Sequence, residues 1–125
     1  MKHTILLLAF LAASLFVCVR VSAQSEPHFK AGAYSVQDGA STTQFDLTVS
    51  SEELQHIKSI LINCGPNVHV LDTPTENGYH IELRIEEQTG PEYVAKLMMV
   101  VGFQYYYLGD QRKEIALLAS DLLPS

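Results

Sequence analysis

Two histidines and a carboxylate have the residue types of a weak metal-binding cluster. His69 and His80 fall on two stretches separated by a turn sequence, Asp72–Gly78, and Glu82 follows His80 by two residues. If these stretches pair as strands, side chains opposite each other lie about 5 Å apart. Imidazole and carboxylate groups are ligands of divalent metals. The alternative is a set of solvated polar pairs, because the strand register decides whether His69 and His80 meet, and the sequence does not fix it.

Cys64 is the third candidate metal ligand. It continues the helical spacing of the apolar residues Leu54, Ile57 and Leu61, so a buried small hydrophobic side chain is the simplest interpretation. The alternative is a reactive thiol or an intermolecular disulfide. A reactive thiol needs a base beside it and a lowered pKa, and the residues next to Cys64 in the sequence supply no base.

The acidic pairs Glu52-Glu53 and Glu86-Glu87 are the remaining groups that could do chemistry. Glycosidase-type catalysis needs two carboxylates across a cleft, and a domain of this size offers no such cleft. The chain also lacks a glycine-rich phosphate loop, a serine–histidine–aspartate spacing and a cofactor fingerprint. We therefore predict a non-catalytic protein without a cofactor.

Three consecutive tyrosines, 105–107, fall in a predicted strand. Because side chains alternate between the two faces of a strand, at least one of these tyrosines should lie on a sheet face that no helix covers. Two alternatives follow: a last helix folds back over that face, or the face binds a partner or a second copy. The candidate contact residues are His69, Leu71, His80, Tyr105, Tyr106 and Tyr107.

The elements that position these residues follow from hydrophobic periodicity and turn residues. Ser50 and Glu53 form a capping box at the start of the first helix, and Pro91 opens the second. Asn77-Gly78 is typical of a hairpin loop that needs positive φ. The predicted order is a strand at 44–49, a helix at 51–64, strands at 68–71 and 79–86, a helix at 91–101, a strand at 103–108 and a helix at 111–123 capped by Asp110.

This order predicts an α+β fold of the ferredoxin-like βαββαβ type. With two right-handed crossovers it makes a four-stranded antiparallel sheet with two helices on one face. The helix at 111–123 is an addition to that plan. We place the single domain at 44–125 and read 24–43, which is rich in small polar residues and has no sustained period, as a flexible leader.

Residues 1–23 have the pattern of a secretory signal peptide. A basic start at Lys2 precedes an uncharged apolar run, and small residues precede a cleavage point after Ala23. The alternative is a membrane anchor, but the run of about 15 residues is shorter than the about 20 needed to span a bilayer. Lipidation at Cys18 is disfavoured because Val17 is not small. We predict an exported protein, periplasmic or extracellular, of bacterial type.

Cleavage leaves residues 24–125, a length that suits one domain with a modest core. Loss of Lys2 and Arg20 from the eight basic residues leaves six against 14 acidic ones, a net charge of −8. An acidic surface argues against binding to nucleic acid or to anionic lipid. Cys64 is then the single cysteine, so no internal disulfide can form and the core alone must stabilise the fold.

The region 44–109 resembles a heavy-metal-associated domain. The resemblance lies in FDLTV, the helix after it, the long hairpin and GPEYVAKLMMVVGFQYYY. That family carries a Met-x-Cys-x-x-Cys motif in the loop after the first strand, whereas this chain has Thr48-Val49-Ser50-Ser51-Glu52-Glu53 there. Two serines and two glutamates do not replace thiolates for a soft metal ion. The resemblance therefore implies the fold and does not carry the metal site over.

Two functions remain open on the sequence alone. The first is a small exported domain that acts through contact with an unknown protein partner or through homodimerisation. The second is a divergent metal-binding or metal-relay protein that uses His69, His80 or Cys64 as ligands. The two differ in whether those three side chains converge in the fold.

Overall fold

The computed structural model describes residues 26–87 and 89–123, so the predicted signal peptide at 1–23 lies outside the described residues. The described chain is of the α+β class, as the sequence predicts. Its elements are β1 (His28–Phe29), β2 (Tyr34–Gln37), β3 (Ala40–Leu47), α1 (Ser51–Asn63), β4 (Val68–Pro74), β5 (Tyr79–Ile85), α2 (Pro91–Val101), β6 (Tyr105–Leu108), β7 (Gln111–Glu114), a 3₁₀ turn (Ile115–Leu117) and α3 (Leu118–Leu122).

The strands form one seven-stranded mixed sheet, in the order β4-β5-β3-β1-β6-β7, with β2 paired to β3. The prediction of a four-stranded, fully antiparallel sheet is therefore wrong in strand number and in direction. The hairpin β4–β5 and its neighbour β3 pair antiparallel. Strand β1 lies between β3 and β6 and pairs parallel with β6, so the predicted first and last strands are not neighbours.

The segment 24–43 is not a flexible leader where the structure describes it. It contains β1, β2 and the first residues of β3. Asp38 and Gly39 both have positive φ, 54° and 78°, in the two-residue turn that joins β2 to β3. This backbone conformation matches the right-handed twist of a hairpin and favours an Asp-Gly pair. The Asp-Gly pair was the sequence signal that the prediction of a leader overlooked.

The predicted helix at 111–123 is also wrong in its first half. Gln111–Glu114 turns back at Gly109-Asp110 and pairs antiparallel with β6 as strand β7. Asp110 therefore lies in a turn and does not cap a helix. Residues 111–114 are all polar or charged, so they offer no apolar stripe to a helix that packs on the core. The apolar residues begin at Ile115, where the 3₁₀ turn and α3 start.

Local signals at the two longer helices are confirmed. The Ser50 side chain accepts a hydrogen bond of 3.2 Å from the Glu53 backbone N–H, which satisfies an otherwise unpaired donor at the start of α1. Pro91 opens α2 and Gly102 ends it. Helix α1 ends at Asn63, with Cys64 in the cap position, one residue before the predicted end at 64.

The β4–β5 hairpin uses Gly78 for a reason that the sequence did not indicate. Asn77 and Gly78 do not have positive φ. Instead, a Cβ added at Gly78 would lie 2.0 Å from the Leu47 carbonyl oxygen and 2.9 Å from the Thr48 Cα. Glycine is needed here because the hairpin approaches the backbone at the end of β3, which fixes β5 against β3.

The core lies between one face of the sheet and the three helices. Strand residues at alternating positions, such as Phe45 and Ile81, belong to the same buried cluster as residues of α1, α2 and α3. Leu61 of α1 and Leu118 of α3 are both fully buried. We call the opposite side of the sheet the outer face; the described helices leave it uncovered. Within the described residues, no helix combines the length and apolar character needed to cross a membrane.

Candidate functional site

Five side chains of the outer face stand in one line across the sheet. Paired positions link His80 to Asp46, Asp46 to His28, His28 to Tyr107 and Tyr107 to Arg112. Residues paired across neighbouring strands point to the same face, so the line runs through β5, β3, β1, β6 and β7. We call His80, Asp46, His28, Tyr107 and Arg112 the outer row.

Hydrogen bonding and ring stacking hold the outer row in place. The Nδ1 atom of His80 lies 2.7 Å from the Asp46 Oδ1 atom, and both side chains are about two-fifths exposed. The rings of His28 and Tyr107 stack with their centroids 4.4 Å apart and their planes within 2° of parallel. The row is therefore an ordered polar and aromatic surface, not a set of independent side chains.

Arg112 ties the outer row to the start of the described chain. Its guanidinium binds both carboxylate oxygens of Glu26, at 2.5–3.2 Å, and its Cζ lies 4.0 Å from the centre of the Tyr105 ring. The hydrogen bond to Glu26 is the main cause that raises the pKa of Arg112 above its ordinary value. Glu26 is only 8 % exposed, and the paired guanidinium offsets the cost of burying its carboxylate.

Two shallow depressions flank His28. One, of about 400 Å³, extends toward Asn77 and Asp110. The other, of about 230 Å³, lies beside Lys30 and His80. An aspartate that orients a histidine supplies two of the three members of a Ser-His-Asp hydrolase triad. Within the described part of the chain, however, no hydrogen bond joins His80 to a hydroxyl or thiol nucleophile.

The structure does not bring the three candidate metal ligands together. His69 pairs across the hairpin with Arg84, whereas His80 pairs with Thr73. The two histidines are therefore separated by four residues along the strands, about 13 Å. Instead, His69 Nε2 lies 3.3 Å from a Glu86 carboxylate oxygen.

Within the described residues, no hydrogen bond joins Cys64 to His69 or His80. Cys64 sits at the end of α1, half-buried, and its thiol donates to the Ile60 carbonyl at 3.2 Å. Among residues 26–87 and 89–123, no group of three or more histidine, cysteine, aspartate or glutamate side chains has the geometry to hold a metal ion.

The three tyrosines divide between the two faces of β6. Tyr105 and Tyr107 lie on the outer face, and Tyr106 is completely buried in the core. Tyr106 is therefore not available for contact with a partner. Leu71 lies on the outer side of β4 and is 60 % exposed. Helix α3 packs on the core side with Tyr106, so the last helix does not fold over the outer face.

Sequence reasoning missed His28, Asp46, Glu26 and Arg112. His28 and Glu26 fall in the segment that was assigned to a flexible leader, and Arg112 falls in the segment that was assigned to a helix. Asp46 falls in the predicted strand at 44–49, but its contact with His80 depends on a register that periodicity does not give. The Asp-Gly turn at 38–39 was a local signal that could have revealed strands in this region, and Tyr34 and Val36 were compatible with a brief extended piece.

The outer row is thus a surface of paired charges and stacked rings, flanked by shallow depressions. Comparison of the chain with known protein families, curated proteins and solved structures found no significant match. The heavy-metal-associated resemblance therefore stays a prediction from the residues quoted for it.

Proposed function

We propose that this protein is a small exported, non-catalytic domain that acts through protein–protein contact, in the periplasm or outside the cell. The contact surface is the outer face of the sheet. The observation that carries this proposal is the position of the helices: α1, α2 and α3 share one core cluster on the other side. The outer row, with Tyr105 and Leu71, is left open to solvent.

The charges of the outer face favour a partner that is itself a protein surface. Asp46 pairs with His80, Arg112 pairs with Glu26, and Arg84 lies 3.6 Å from Glu86. Because these charges are compensated locally, the face offers no positive patch to a polyanion. Aromatic and arginine side chains with satisfied polar groups are typical of protein interfaces.

The aromatic rings of the face also favour a protein partner over a sugar or a nucleobase. His28 and Tyr107 stack on each other across neighbouring strands, so their edges point outward. The Arg112 guanidinium lies over the face of Tyr105. Ligands that bind by stacking need an open ring face. Edges and polar groups are instead suited to a partner that brings its own hydrogen-bonding and apolar side chains.

We also propose that β3-α1-β4-β5-α2-β6 is a ferredoxin-like unit into which β1 has been inserted. The order β4-β5-β3 is that of the split arrangement. Strand β6 runs antiparallel to β3, because β1 is antiparallel to β3 and parallel to β6. Without β1, β6 would lie next to β3 and complete the four-stranded sheet.

Site-specific photo-crosslinking tests the contact. A photoreactive phenylalanine analogue is introduced at Tyr107 or Tyr105 and, as matched controls, at the exposed helix positions Gln55 and Lys96. The cells are irradiated, and adducts from the exported fraction are identified by mass spectrometry. We expect a discrete adduct with one protein from the two outer-face positions and none from the helix positions.

Binding of the identified protein to purified variants provides the second readout. Tyr107→Ala should weaken binding by about tenfold or more, because central aromatic residues carry a large share of interface energy, and Lys96→Ala should leave it unchanged. Adducts formed only from the helix positions would overturn the choice of surface. A stoichiometric metal adduct in native mass spectra that is lost in His80→Ala would favour metal binding instead.

A further inference from the structure

We propose that the domain forms a two-fold symmetric homodimer in which β4 pairs antiparallel with β4 of a second copy, centred on Leu71. This contact uses the edge of the sheet, whereas the function proposed above uses its outer face. The two proposals therefore stand independently. In the dimer, the two sheets become continuous and both outer faces lie on the same side.

The two ends of the sheet differ in how they are protected. Strand β7 ends one side; it has four residues and carries Arg112 and Lys113. Short strands and basic side chains are the usual protection of an exposed edge against pairing. Strand β4 ends the other side; it has seven residues, no lysine or arginine, and Leu71 at its centre. Within the described residues, β4 pairs with β5 alone.

The hydrogen bonds that bracket the hairpin show which backbone groups of β4 point outward. Glu86 N–H donates to the Asn67 carbonyl and Thr75 N–H donates to the Gly78 carbonyl, both at 2.9 Å. In an antiparallel pair, hydrogen-bonded positions alternate with positions that are not. Odd-numbered residues from 67 to 75 therefore direct their backbone groups to β5, and even-numbered residues direct theirs to the free edge.

Two free donors remain on that edge. The Val68 N–H is already bound to the Gly65 carbonyl at 3.3 Å, and Pro74 has no N–H. Val70 and Asp72 thus present the N–H groups that a further strand would need, each with its own carbonyl. Exposed strand edges of this kind are templates for pairing with another chain.

Pairing of the two β4 strands centred on Leu71 satisfies the free N–H and carbonyl groups of Val70 and Asp72. Val70 of each copy lies opposite Asp72 of the other, so two residues on each strand exchange four hydrogen bonds. Leu71 then lies opposite Leu71 of the second copy at a non-hydrogen-bonded position, where Cα atoms are about 4.5 Å apart. The most exposed apolar side chain of β4 is buried against its own copy.

The neighbouring registers are less favourable. Centring on Val70 would place Leu71 against His69, and centring on Asp72 would place two carboxylates opposite each other, which is destabilising. In the proposed register Asp72 faces Val70 and keeps its ion pair with Lys58, whose Nζ lies 2.5 Å from Oδ1. No uncompensated charge is brought to the interface.

Sedimentation equilibrium of the chain from Gln24 to Ser125, which contains every described residue, measures the association. We expect a monomer–dimer equilibrium whose dissociation constant rises by about tenfold or more in Leu71→Lys, because a buried leucine is lost from each copy. Val36→Lys is the matched control, since Val36 is also 60 % exposed and lies on β2. Circular dichroism melting of both variants checks that the fold is kept.

Oxidative cross-linking tests the register. In a Cys64→Ser background, Leu71→Cys should form a disulfide-linked dimer readily, because the two-fold axis places the two cysteines at a separation that a disulfide spans. Val36→Cys should not. A monomer at all concentrations, or equal cross-linking of the two variants, overturns the dimer. Cross-linking at Val70→Cys without cross-linking at Leu71→Cys overturns the register.

Discussion

Tyr106 and Asp121 are joined by a hydrogen bond in which the phenol donates to a carboxylate oxygen, and the same oxygen accepts a bond of 2.9 Å from Lys113 Nζ. The contact links β6, β7 and α3 on the core side of the sheet. Burial alone would raise the pKa of Asp121, but the bonds from Tyr106 and Lys113 outweigh it and lower that pKa below its ordinary value.

The first prediction concerns the pH dependence of stability. Because the pKa of Asp121 is lowered in the folded state, its contribution is present above the ordinary carboxyl pKa and is lost as the pH falls through the folded value. Asp121→Asn should therefore cost about 1–3 kcal/mol of unfolding free energy at pH 7, and the difference from wild type should shrink below about pH 4. Urea denaturation at a series of pH values measures this.

At alkaline pH the stability of the fold should change in the opposite direction and fall as the pH rises. Burial, and then the bond and charge of Asp121, raise the pKa of Tyr106, so stability is present below the ordinary phenol pKa and is lost as the pH rises above it. Tyr106→Phe should be less sensitive to pH above about 10. Asp110→Asn, in the exposed β6–β7 turn, is the control and should follow wild type at both extremes.

Replacement of Gly78 should disturb the sheet at the hairpin. Gly78→Ala places a Cβ 2.0 Å from the Leu47 carbonyl oxygen, so the backbone must move, and we expect a loss of about 1–3 kcal/mol or more. Gly65→Ala is the control, since its Cβ would meet ordinary contacts at 3.9 Å or more. Equal denaturation midpoints for the two variants would contradict the close approach.

A buried hydroxyl offers a route to higher stability. Thr43 is completely buried, and its Oγ1 has no hydrogen-bond partner among the described residues. Thr43→Val keeps the shape and removes the unsatisfied group, so we expect a gain of about 1 kcal/mol in unfolding free energy. Thr42→Val, on the outer side of the same strand, should change it little. A clear loss in Thr43→Val would mean that the hydroxyl has a partner.

The pair between Arg112 and Glu26 should hold β1 in the sheet. Arg112→Ala leaves the buried carboxylate of Glu26 unpaired and should lower the free energy of unfolding. The amides of Tyr107 and Gly109 donate to the carbonyls of Pro27 and Phe29, so their hydrogen exchange should accelerate. Exchange measured by NMR tests this.

Arg84→Ala removes an exposed ion pair far from β1 and serves as the control for this experiment. Its effect should be within about 0.5 kcal/mol. If the Tyr107 and Gly109 amides exchange equally fast in both variants, Arg112 does not fasten β1.

A charge on the buried face of α1 should unfold the domain. Leu61 is fully buried, so a carboxylate at this position would have no hydrogen-bond or ion-pair partner. Leu61→Asp should cost more than the about 2–5 kcal/mol of a Leu→Ala change, a large part of the whole stability of a domain this size. Gln55→Asp on the exposed side of α1 is the control. A soluble Leu61→Asp variant with a cooperative melt would show that the buried face of α1 was misassigned.

The parts of the fold that the sequence predicts correctly rest on local signals. Ser50 and Glu53 define a cap within one turn, and the helical spacing of Leu54, Ile57 and Leu61 marks the buried side of α1. Alternation is enough to place Tyr106 and its neighbours on opposite faces of β6. Each of these depends on residues a few positions apart.

The outer row rests on contacts between distant segments. His28 meets Tyr107 because β1 lies between β3 and β6. Asp46 meets His80 because β3 pairs with β5 in the register that places these two residues opposite each other. Strand β1 has two residues, too few for any period to be visible. Because the sequence does not reveal β1, the candidate site could not be predicted from the sequence, although each of its residues can be read there.

The place of β1 in the middle of the sheet also sets the order in which the molecule can be completed. Glu26 binds Arg112 across 86 residues of chain, so the first described residues find their partners only after nearly the whole chain has been synthesised. Contacts of such long sequence separation slow folding. The sheet therefore cannot be completed until residues near the end of the described chain are available, and its closure is a late step of folding.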